Sequence, residues 1–280
     1  LTRDVPGLSG LHWIATDTLD AACADDWRPV RVAPGDLAFL QYTSGSTTAP
    51  KGVRLSHANL VHNVGLMRRL HGLGRDGRVC SWMPLFHDMG LIALMLTPLA
   101  AGAPVHLMAP TTFLARPERW LRALSDLRAT FTGGPDFAFD LCVRRVSEEA
   151  REGLDLSALA TFLNGAEPIR PGTLHAFADT YAPYGFSPEA FAPGYGLAES
   201  TVCATIHTHR ADGPWLLHVD RTALQAGRAV PLDPNHDGAR PLAGCGRVRN
   251  DPRIRREDRD LRIVDPDHRT ACPDGGVGEI

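Results

Sequence analysis

Thr-Ser-Gly-Ser-Thr-Thr-Ala-Pro-Lys-Gly, residues 43–52, is the stretch of this chain that decides its fold. It combines five hydroxyl side chains, glycines and one lysine, directly after an apolar run, Leu37–Tyr42, that is typical of a buried strand. A triphosphate needs such a lining, because close backbone N–H groups, rotatable hydroxyls and a cation all bind phosphate oxygens. The alternative is an ordinary surface turn, since clusters of Ser, Thr, Gly and Pro usually form turns. The preceding strand and the following Pro-Lys-Gly favour phosphate binding.

The loop differs from the P-loop of NTPases. That motif requires Gly where Pro50 stands and Ser or Thr where Gly52 stands. The candidate nucleotide ligands within the loop are Thr43, Ser44, Gly45, Ser46, Thr47 and Lys51.

Strands and helices alternate on both sides of this loop. Apolar runs such as Ala103–Met108 and Ala160–Leu163 predict strands, while Ser56, Pro117 and Pro171 each stand where an amphipathic helix begins. This alternation predicts βαβ units and therefore an α/β fold with a largely parallel, helix-covered sheet. Ligands collect at the carboxyl ends of the strands in such sheets, and the polar, Gly-rich segments fall at those ends.

The alternation stops near residue 206. Val202–Ile206 predicts the last regular strand, prolines, glycines and charges dominate Thr208–Asp260, and Leu261–Val264 then predicts a further strand. We therefore expect an α/β core over residues 1–206 and an irregular β-rich subdomain over residues 207–280.

The composition excludes several classes of protein. With 44% hydrophobic residues, 22% charged residues and a net charge of -3, the chain has no basic excess for nucleic acid or an anionic membrane. The longest apolar run, Gly90–Val105, is broken by Pro98, Gly102 and Pro104, so no transmembrane helix is expected. Six cysteines without a Cys-x-x-Cys pair indicate reduced thiols in a cytoplasmic protein rather than disulfides or a zinc site.

Residues 43–52 resemble the Thr-Ser-Gly-Ser-Thr-x-x-Pro-Lys-Gly signature of the adenylate-forming superfamily, which includes acyl-CoA synthetases, luciferases and nonribosomal peptide adenylation domains. One departure is Thr48, where most of the superfamily has Gly. Three further segments resemble motifs of the same superfamily in the same order, namely Ser81–Gly90, Asn164–Pro168 and Gly194–Glu199.

The resemblance implies a role for each motif. His87 would sit between an acyl tunnel and the α-phosphate, although a histidine among apolar residues is by itself more often packed in a core. Tyr195 would stack on adenine. Glu199 would hold Mg²⁺ on the phosphates, although such a carboxylate in isolation reads as a surface group. The implied catalytic residues are His87, Lys51 and Glu199. The backbone around the adenine would come from Gly165, Ala166 and Glu167, and Gly196 is a further implied nucleotide contact.

Four segments narrow the resemblance to the fatty acyl-AMP ligases, over about Trp13 to Ile280. They are residues 87–92 (HDMGLI), 133–145 (GGPDFAFDLCVRR), 164–170 (NGAEPIR) and 195–199 (YGLAE), the last with Ala198 where the superfamily usually has Thr. Members of that family activate fatty acids with ATP and pass the acyl group to the phosphopantetheine thiol of an acyl carrier protein. The implied cofactors are ATP and Mg²⁺, and the implied partners are a fatty acid and an acyl carrier protein.

Two alternatives remain open, a long-chain acyl-CoA synthetase and a catalytically incomplete nucleotide-binding fragment. Residue 1 is not Met, and no Thr-Gly-Asp motif follows Glu279, so we expect a chain truncated at both ends. The resemblance places the ribose-binding Asp and the distal catalytic Lys beyond these residues.

Two further expectations concern specificity. The acyl pocket is expected near small and apolar residues beside the α-phosphate site, namely His87, Met89, Gly133, Gly134 and Phe137. A family-type insertion that docks on the core and discourages CoA is expected within Thr208–Asp260, on the apolar residues Trp215, Leu216, Leu217, Val219 and Leu224. The alternative for that stretch is a β-subdomain with a small core of its own.

Overall fold

The computed structural model describes residues 7, 10–15, 18–43, 50–207, 216–246 and 260–280. The chain divides into two compact units, Leu1–Pro34 and Gly35–Ile280. The first unit contains a 3₁₀ turn, Ala21–Ala24, which begins at Asp20 because the aspartate side chain accepts a hydrogen bond from the backbone N–H of Ala22. The predicted boundary between the α/β core and the β-rich subdomain, at residues 206 and 207, stays a prediction.

The second unit opens with an antiparallel hairpin of β1 (Leu37–Thr43) and β2 (Lys51–Ser56), in which Thr43 lies opposite Lys51. Helix α1 (His57–His71) follows, and Ser56 is its N-cap, as predicted; the side chains of Ser56 and Asn59 form a reciprocal capping box. The prediction of a buried strand at β1 was wrong. Only Gln41 is buried there, because β1 pairs with β2 alone among the residues that the structure describes and lies outside the main sheet.

In the described part of the chain, the main sheet has six strands in the order β4-β3-β5-β6-β7-β8. They are β3 (Val79–Ser81), β4 (Val105–Leu107), β5 (Phe131–Gly134), β6 (Thr161–Asn164), β7 (Phe191–Tyr195) and β8 (Thr205–Ile206). The first five strands of that order pair in parallel and β8 pairs antiparallel to β7, which confirms the predicted α/β fold with a largely parallel sheet. The predicted strand Val202–Ile206 is shorter than expected, because residues 198–203 form a closed loop before β8.

Helices cover this sheet and bury an aromatic core. They are α2 (Thr97–Ala101), α3 (Pro110–Ala115), α4 (Glu118–Asp126), α5 (Asp136–Arg145), α6 (Glu148–Arg151) and α7 (Pro171–Tyr181), with a π-helical segment at Met89–Leu96. As predicted, Pro171 opens a helix; Pro117 is the N-cap of α4 rather than its first residue. Trp82 stacks on Phe113 with ring centroids 4.1 Å apart, and Trp120 packs edge-on against both.

The remaining described residues form small β elements. Strand β9 (Leu216–Asp220) pairs antiparallel with β10 (Ala239–Ala243), helix α8 (Arg221–Gln225) lies between them, and Val219 is fully buried. The predicted strand Leu261–Val264 is reduced to isolated bridges at Val264. Trp215, part of the predicted insertion, lies outside the described residues. The insertion and its docking stay a prediction.

Candidate active site

A cavity of about 580 Å³ opens where the segments after β3, β6 and β7 meet. This is the carboxyl end of the parallel strands, where ligands bind in such sheets. Predicted site residues from all four motifs line it, namely Thr43, His87, Gly165, Ala166, Tyr195, Gly196 and Glu199. The fold therefore gathers on one cavity residues that are far apart in the sequence.

Two predicted residues are not part of the cavity lining. Lys51 is exposed on β2, opposite Thr43 at the end of the hairpin. The carboxylate of Glu167 accepts a hydrogen bond of 2.6 Å from the backbone N–H of Phe137, so it caps the first turn of α5. Ser44, Gly45, Ser46 and Thr47 lie outside the described residues. The phosphate-binding roles of this loop stay predictions.

The adenine segment and the β7 end lie against each other through their backbones. A Cβ added to Gly165 would lie 2.9 Å from the carbonyl oxygen of Gly194, so only glycine permits this approach. Ala166 follows in the left-handed region with φ of 68°, a backbone conformation that is unfavourable for a residue with a Cβ atom. Tyr195 ends β7 with 41% of its surface exposed, and it lines the cavity.

Glu199 stands in a 3₁₀ turn, Ala198–Ser200, at the rim of the cavity. It is exposed, and its carboxylate has no ion-pair or hydrogen-bond partner among the residues that the structure describes. A carboxylate in this situation is free to bind a cation. The described part of the chain holds no cluster of three or more His, Cys, Asp or Glu that could hold a metal ion by itself.

His87 is oriented by the two residues that follow it. Its Nδ1 lies 2.9 Å from Oδ1 of Asp88 and 3.1 Å from the backbone N–H of Met89. These contacts require different tautomers, since Nδ1 donates in the first and accepts in the second. The Met89 N–H is already bound to Asp88 at 2.6 Å, so we assign the proton to Nδ1, donated to Asp88. In the neutral form of the ring, this assignment leaves the lone pair on Nε2.

Apolar residues also line the cavity. They are Met67, Met89, Ala93, Leu163, Ala192, Val202, Cys203 and Ile206. Of the residues expected around the acyl chain, His87 and Met89 line the cavity, whereas Gly133, Gly134 and Phe137 do not. The reason is that neighbours fill those positions: a Cβ on Gly133 would lie 2.6 Å from Cβ of Leu163, and one on Gly134 would lie 3.1 Å from the Trp82 ring.

Sequence reasoning missed Asp136, a fully buried carboxylate in the first turn of α5. It accepts hydrogen bonds from Nε of Arg170 at 2.7 Å, the hydroxyl of Thr173 at 3.0 Å and the side-chain amide of Asn164 at 3.3 Å. The bond to Asp136 raises the pKa of the Arg170 guanidinium. This network fixes the end of β6, from which the adenine segment continues.

Gln41 was also missed. Its side-chain amide donates a hydrogen bond of 2.8 Å to the carbonyl of Phe86 and so ties β1 to the segment that carries His87. The sequence signals only a polar residue within an apolar run, and nothing in it names the distant partner.

The sequence is similar to known enzymes over nearly its whole length. The model of the AMP-binding enzyme family matches residues 6–280. The medium-chain fatty acid–acyl-carrier-protein ligase JamA of Moorena producens is 37% identical over 272 residues, which cover 96% of this chain and 45% of JamA. The putative fatty-acid–CoA ligase fadD25 of Mycobacterium tuberculosis is 38% identical over 284 residues, covering 98% of this chain and 47% of fadD25.

A solved structure is similar over nearly the whole chain. The fatty acyl-adenylate ligase from L. pneumophila, in complex with acyl adenylate and pyrophosphate, superposes with a TM-score of 0.86 at 37% identity, covering 95% of this chain and 45% of that protein. The chain thus spans about half the length of the curated relatives it matches. Among the described residues, no helix is both long and apolar enough to span a bilayer.

Proposed function

Because this chain belongs to the AMP-binding family of adenylate-forming enzymes, we propose that its protein activates a fatty acid with ATP, forming an acyl-adenylate and releasing pyrophosphate. The observation that carries this proposal is the mixed lining of the cavity. Residues of the nucleotide motifs and apolar side chains line the same cavity, and His87 and Met89 contribute to that lining from one segment. A fatty acyl phosphate needs this combination of surroundings.

The reaction is an in-line displacement at phosphorus. A carboxylate oxygen of the fatty acid forms a bond to the α-phosphorus of ATP, and the bond from that phosphorus to the bridging oxygen breaks, so pyrophosphate leaves with the electron pair. Catalysis of such a step comes mainly from alignment and stabilisation of charge. In this proposal His87 contacts the reacting carboxylate or α-phosphate, and Lys51 and Glu199 act around the phosphates. No protein nucleophile is needed.

Magnesium fits the donor set at this site. Mg²⁺ is usually bound by one or two carboxylates together with substrate phosphates and water, rather than by a cage of protein ligands. Glu199 supplies one unpartnered carboxylate at the cavity rim. When bound, the ion supplies positive charge that neutralises the phosphate oxygens. Tyr195, Gly165, Ala166 and Gly196 would hold the adenine.

The proposed acceptor of the acyl group is the phosphopantetheine thiol of an acyl carrier protein, and the proposed location is the cytoplasm. JamA, named as an acyl-carrier-protein ligase, supports this acceptor. A second candidate is free CoA, because fadD25 is named as a putative fatty-acid–CoA ligase. Both candidates share the adenylation step.

The test is acid-dependent exchange of pyrophosphate into ATP by the complete gene product, with saturated fatty acids of increasing length. We expect exchange with at least one fatty acid and none without acid. A second assay then offers phosphopantetheinylated carrier protein or CoA. Formation of acyl-CoA at a rate equal to acylation of the carrier would contradict the proposed acceptor, and absence of exchange with every acid would contradict adenylation itself.

A further inference from the structure

Asn63 lies inside α1 and is bonded to the loop that follows β7. Its side chain is buried, with 5% of its surface exposed. The amide nitrogen donates to the carbonyl oxygens of Ser200 and Cys203, both at 3.1 Å, and Oδ1 accepts from the N–H of Cys203 at 3.3 Å. A buried amide is costly unless it is bonded, and here three bonds all go to a single loop.

That loop, residues 195–203, holds a strained backbone. Thr201 is buried with φ of 73° and ψ of -57°, a conformation that a β-branched residue seldom adopts. A Cβ on Gly196 would lie 1.6 Å from the carbonyl oxygen of Val202, so the loop closes tightly on itself. Strained backbone persists only where the surrounding structure over-determines it. The bonds from Asn63 supply such a constraint from outside the loop.

The same loop carries two of the predicted ligand contacts. Tyr195 stands at its start and Glu199 in its middle, and both line the cavity. Helix α1 begins directly after β2, the strand that starts at Lys51. Asn63 therefore connects the element that follows the phosphate loop with the loop that carries the proposed metal ligand.

We propose that Asn63 is a positioning residue, which holds the 195–203 loop so that Glu199 and Tyr195 keep the placement that adenylation requires. This inference rests on the proposed function for its catalytic consequence. Asn63 itself does not line the cavity, so its effect passes through the loop.

The test replaces Asn63 by a side chain of similar size without hydrogen-bonding atoms. In the complete gene product, N63L is expected to lower kcat for acid-dependent pyrophosphate exchange by about 10²-fold, as small misplacements in active sites do. The Mg²⁺ concentration for half-maximal rate should rise several-fold, while KM for the fatty acid stays within about twofold, because the loop carries phosphate and adenine contacts.

Asn59 provides the matched control. It lies on the same helix and is exposed in the capping box, so N59A lowers the stability of α1 without touching the loop. We expect N59A to lower the thermal midpoint but to leave the Mg²⁺ dependence and kcat within about twofold. Equal losses of activity in N59A and N63L, in proportion to stability, would mean that Asn63 is merely structural and would overturn the proposal.

Hydrogen exchange gives a readout that does not depend on activity. The N–H of Cys203 donates to Oδ1 of Asn63, so peptides covering residues 197–204 should exchange at least tenfold faster in N63L and unchanged in N59A. If the wild type shows no acid-dependent exchange of pyrophosphate, the proposed function fails, and the hydrogen-exchange measurement alone decides the positioning role. Unchanged hydrogen exchange of residues 197–204 in N63L would overturn that role. If N63L does not fold, N63D, which keeps the acceptor but loses both donors, serves in its place.

Discussion

At the scale of single residues, Lys51 and Glu199 are the charged groups on which the proposed chemistry depends. Removing one preorganised contact to the transition state typically costs about 10²–10³ in rate. We therefore expect K51A and E199A, each in the complete gene product, to lower acid-dependent pyrophosphate exchange by that factor. The exposed Glu189 supplies a matched control, since E189A removes a carboxylate that does not line the cavity. Activity of K51A or E199A within twofold of wild type would exclude the proposed role.

Lys51 is the only lysine in these 280 residues, which makes its position directly testable. An amine-reactive adenosine analogue should label Lys51, and ATP with Mg²⁺ should protect it, as read by peptide mapping. Lys51 does not line the cavity, so protection would show that the ligand reaches beyond the described lining.

Cys80 leads to a prediction about pH. Burial raises the pKa of this thiol from its ordinary value of 9.0 to about 11. The folded protein keeps the proton when the unfolded chain has lost it, so the stabilisation is present below pH 9 and is lost as the pH rises towards 11. Each pKa unit corresponds to about 1.4 kcal/mol. Between pH 8 and pH 11, the free energy of unfolding should therefore fall by about 2–3 kcal/mol more in wild type than in C80A. Urea unfolding at both pH values measures this difference. An equal fall in both would contradict a buried, protonated thiol.

Residue types and short spacings indicated residues that line the candidate site, but they did not indicate the residues that hold the site's segments in place. His87, Tyr195 and Glu199 were proposed because each belongs to a motif of consecutive residues, and all three line the cavity. Asn63 and Asp136 were not, because each acts through partners on other elements and no local pattern marks those partners.

At the scale of elements, the π-helical segment Met89–Leu96 depends on one glycine. A Cβ on Gly90 would lie 2.2 Å from the carbonyl oxygen of Pro84, and backbone cannot move aside cheaply. G90A should therefore lower the free energy of unfolding by about 3 kcal/mol or more, at the upper end for an overpacked site. Gly172 in α7 is the control, because nothing lies within 4 Å of a Cβ there. G172A should change stability by less than about 1 kcal/mol; equal losses in both variants would refute the steric reason.

The same segment contributes to the apolar lining of the cavity. Ala93 is 1% exposed and lines the cavity. A93F should fill the space beside it and shift the preferred fatty acid to a shorter chain, with rates for the longest substrates lowered about tenfold or more relative to short ones. The control is A100F, at an exposed alanine of α2. A chain-length profile unchanged in A93F, with adenylation intact, would place the acyl chain elsewhere.

Elements that bury one clear face were predictable, and those shaped by their neighbours were not. The capping sequence at Ser56 predicted where α1 begins, because the capping box is local. The apolar run Leu37–Tyr42 predicted a strand correctly but its burial wrongly, because burial depends on what lies over the strand. No periodicity predicted the π-helical segment, within which Gly90 closely approaches the backbone of Pro84.

At the scale of the whole molecule, the sequence predicted the fold class but not the order of the strands. Alternating strands and helices imply a parallel sheet, yet nothing in the pattern indicates that β3 lies between β4 and β5. That order matters for the site, because it places β6 and β7 side by side and so brings Gly165 against Gly194. The motifs converge because of the topology rather than because of their spacing.

As an isolated polypeptide, these 280 residues are expected to behave differently from the complete gene product. They include the residues around the cavity, but they span about half the length of the relatives. The family resemblance assigns a ribose contact and a catalytic lysine to positions outside them. If each missing contact costs about 10²–10³ in rate, the isolated chain should exchange pyrophosphate at least about 10⁴-fold more slowly than the complete gene product. Its folded state should still gain thermal stability from ATP with Mg²⁺, because the ligands predicted within it remain. Thermal shift and pyrophosphate exchange on the same preparation separate binding from catalysis. Robust exchange by the isolated chain would mean that the chemistry needs neither of the distal groups, and then Lys51 and His87 would have to carry it.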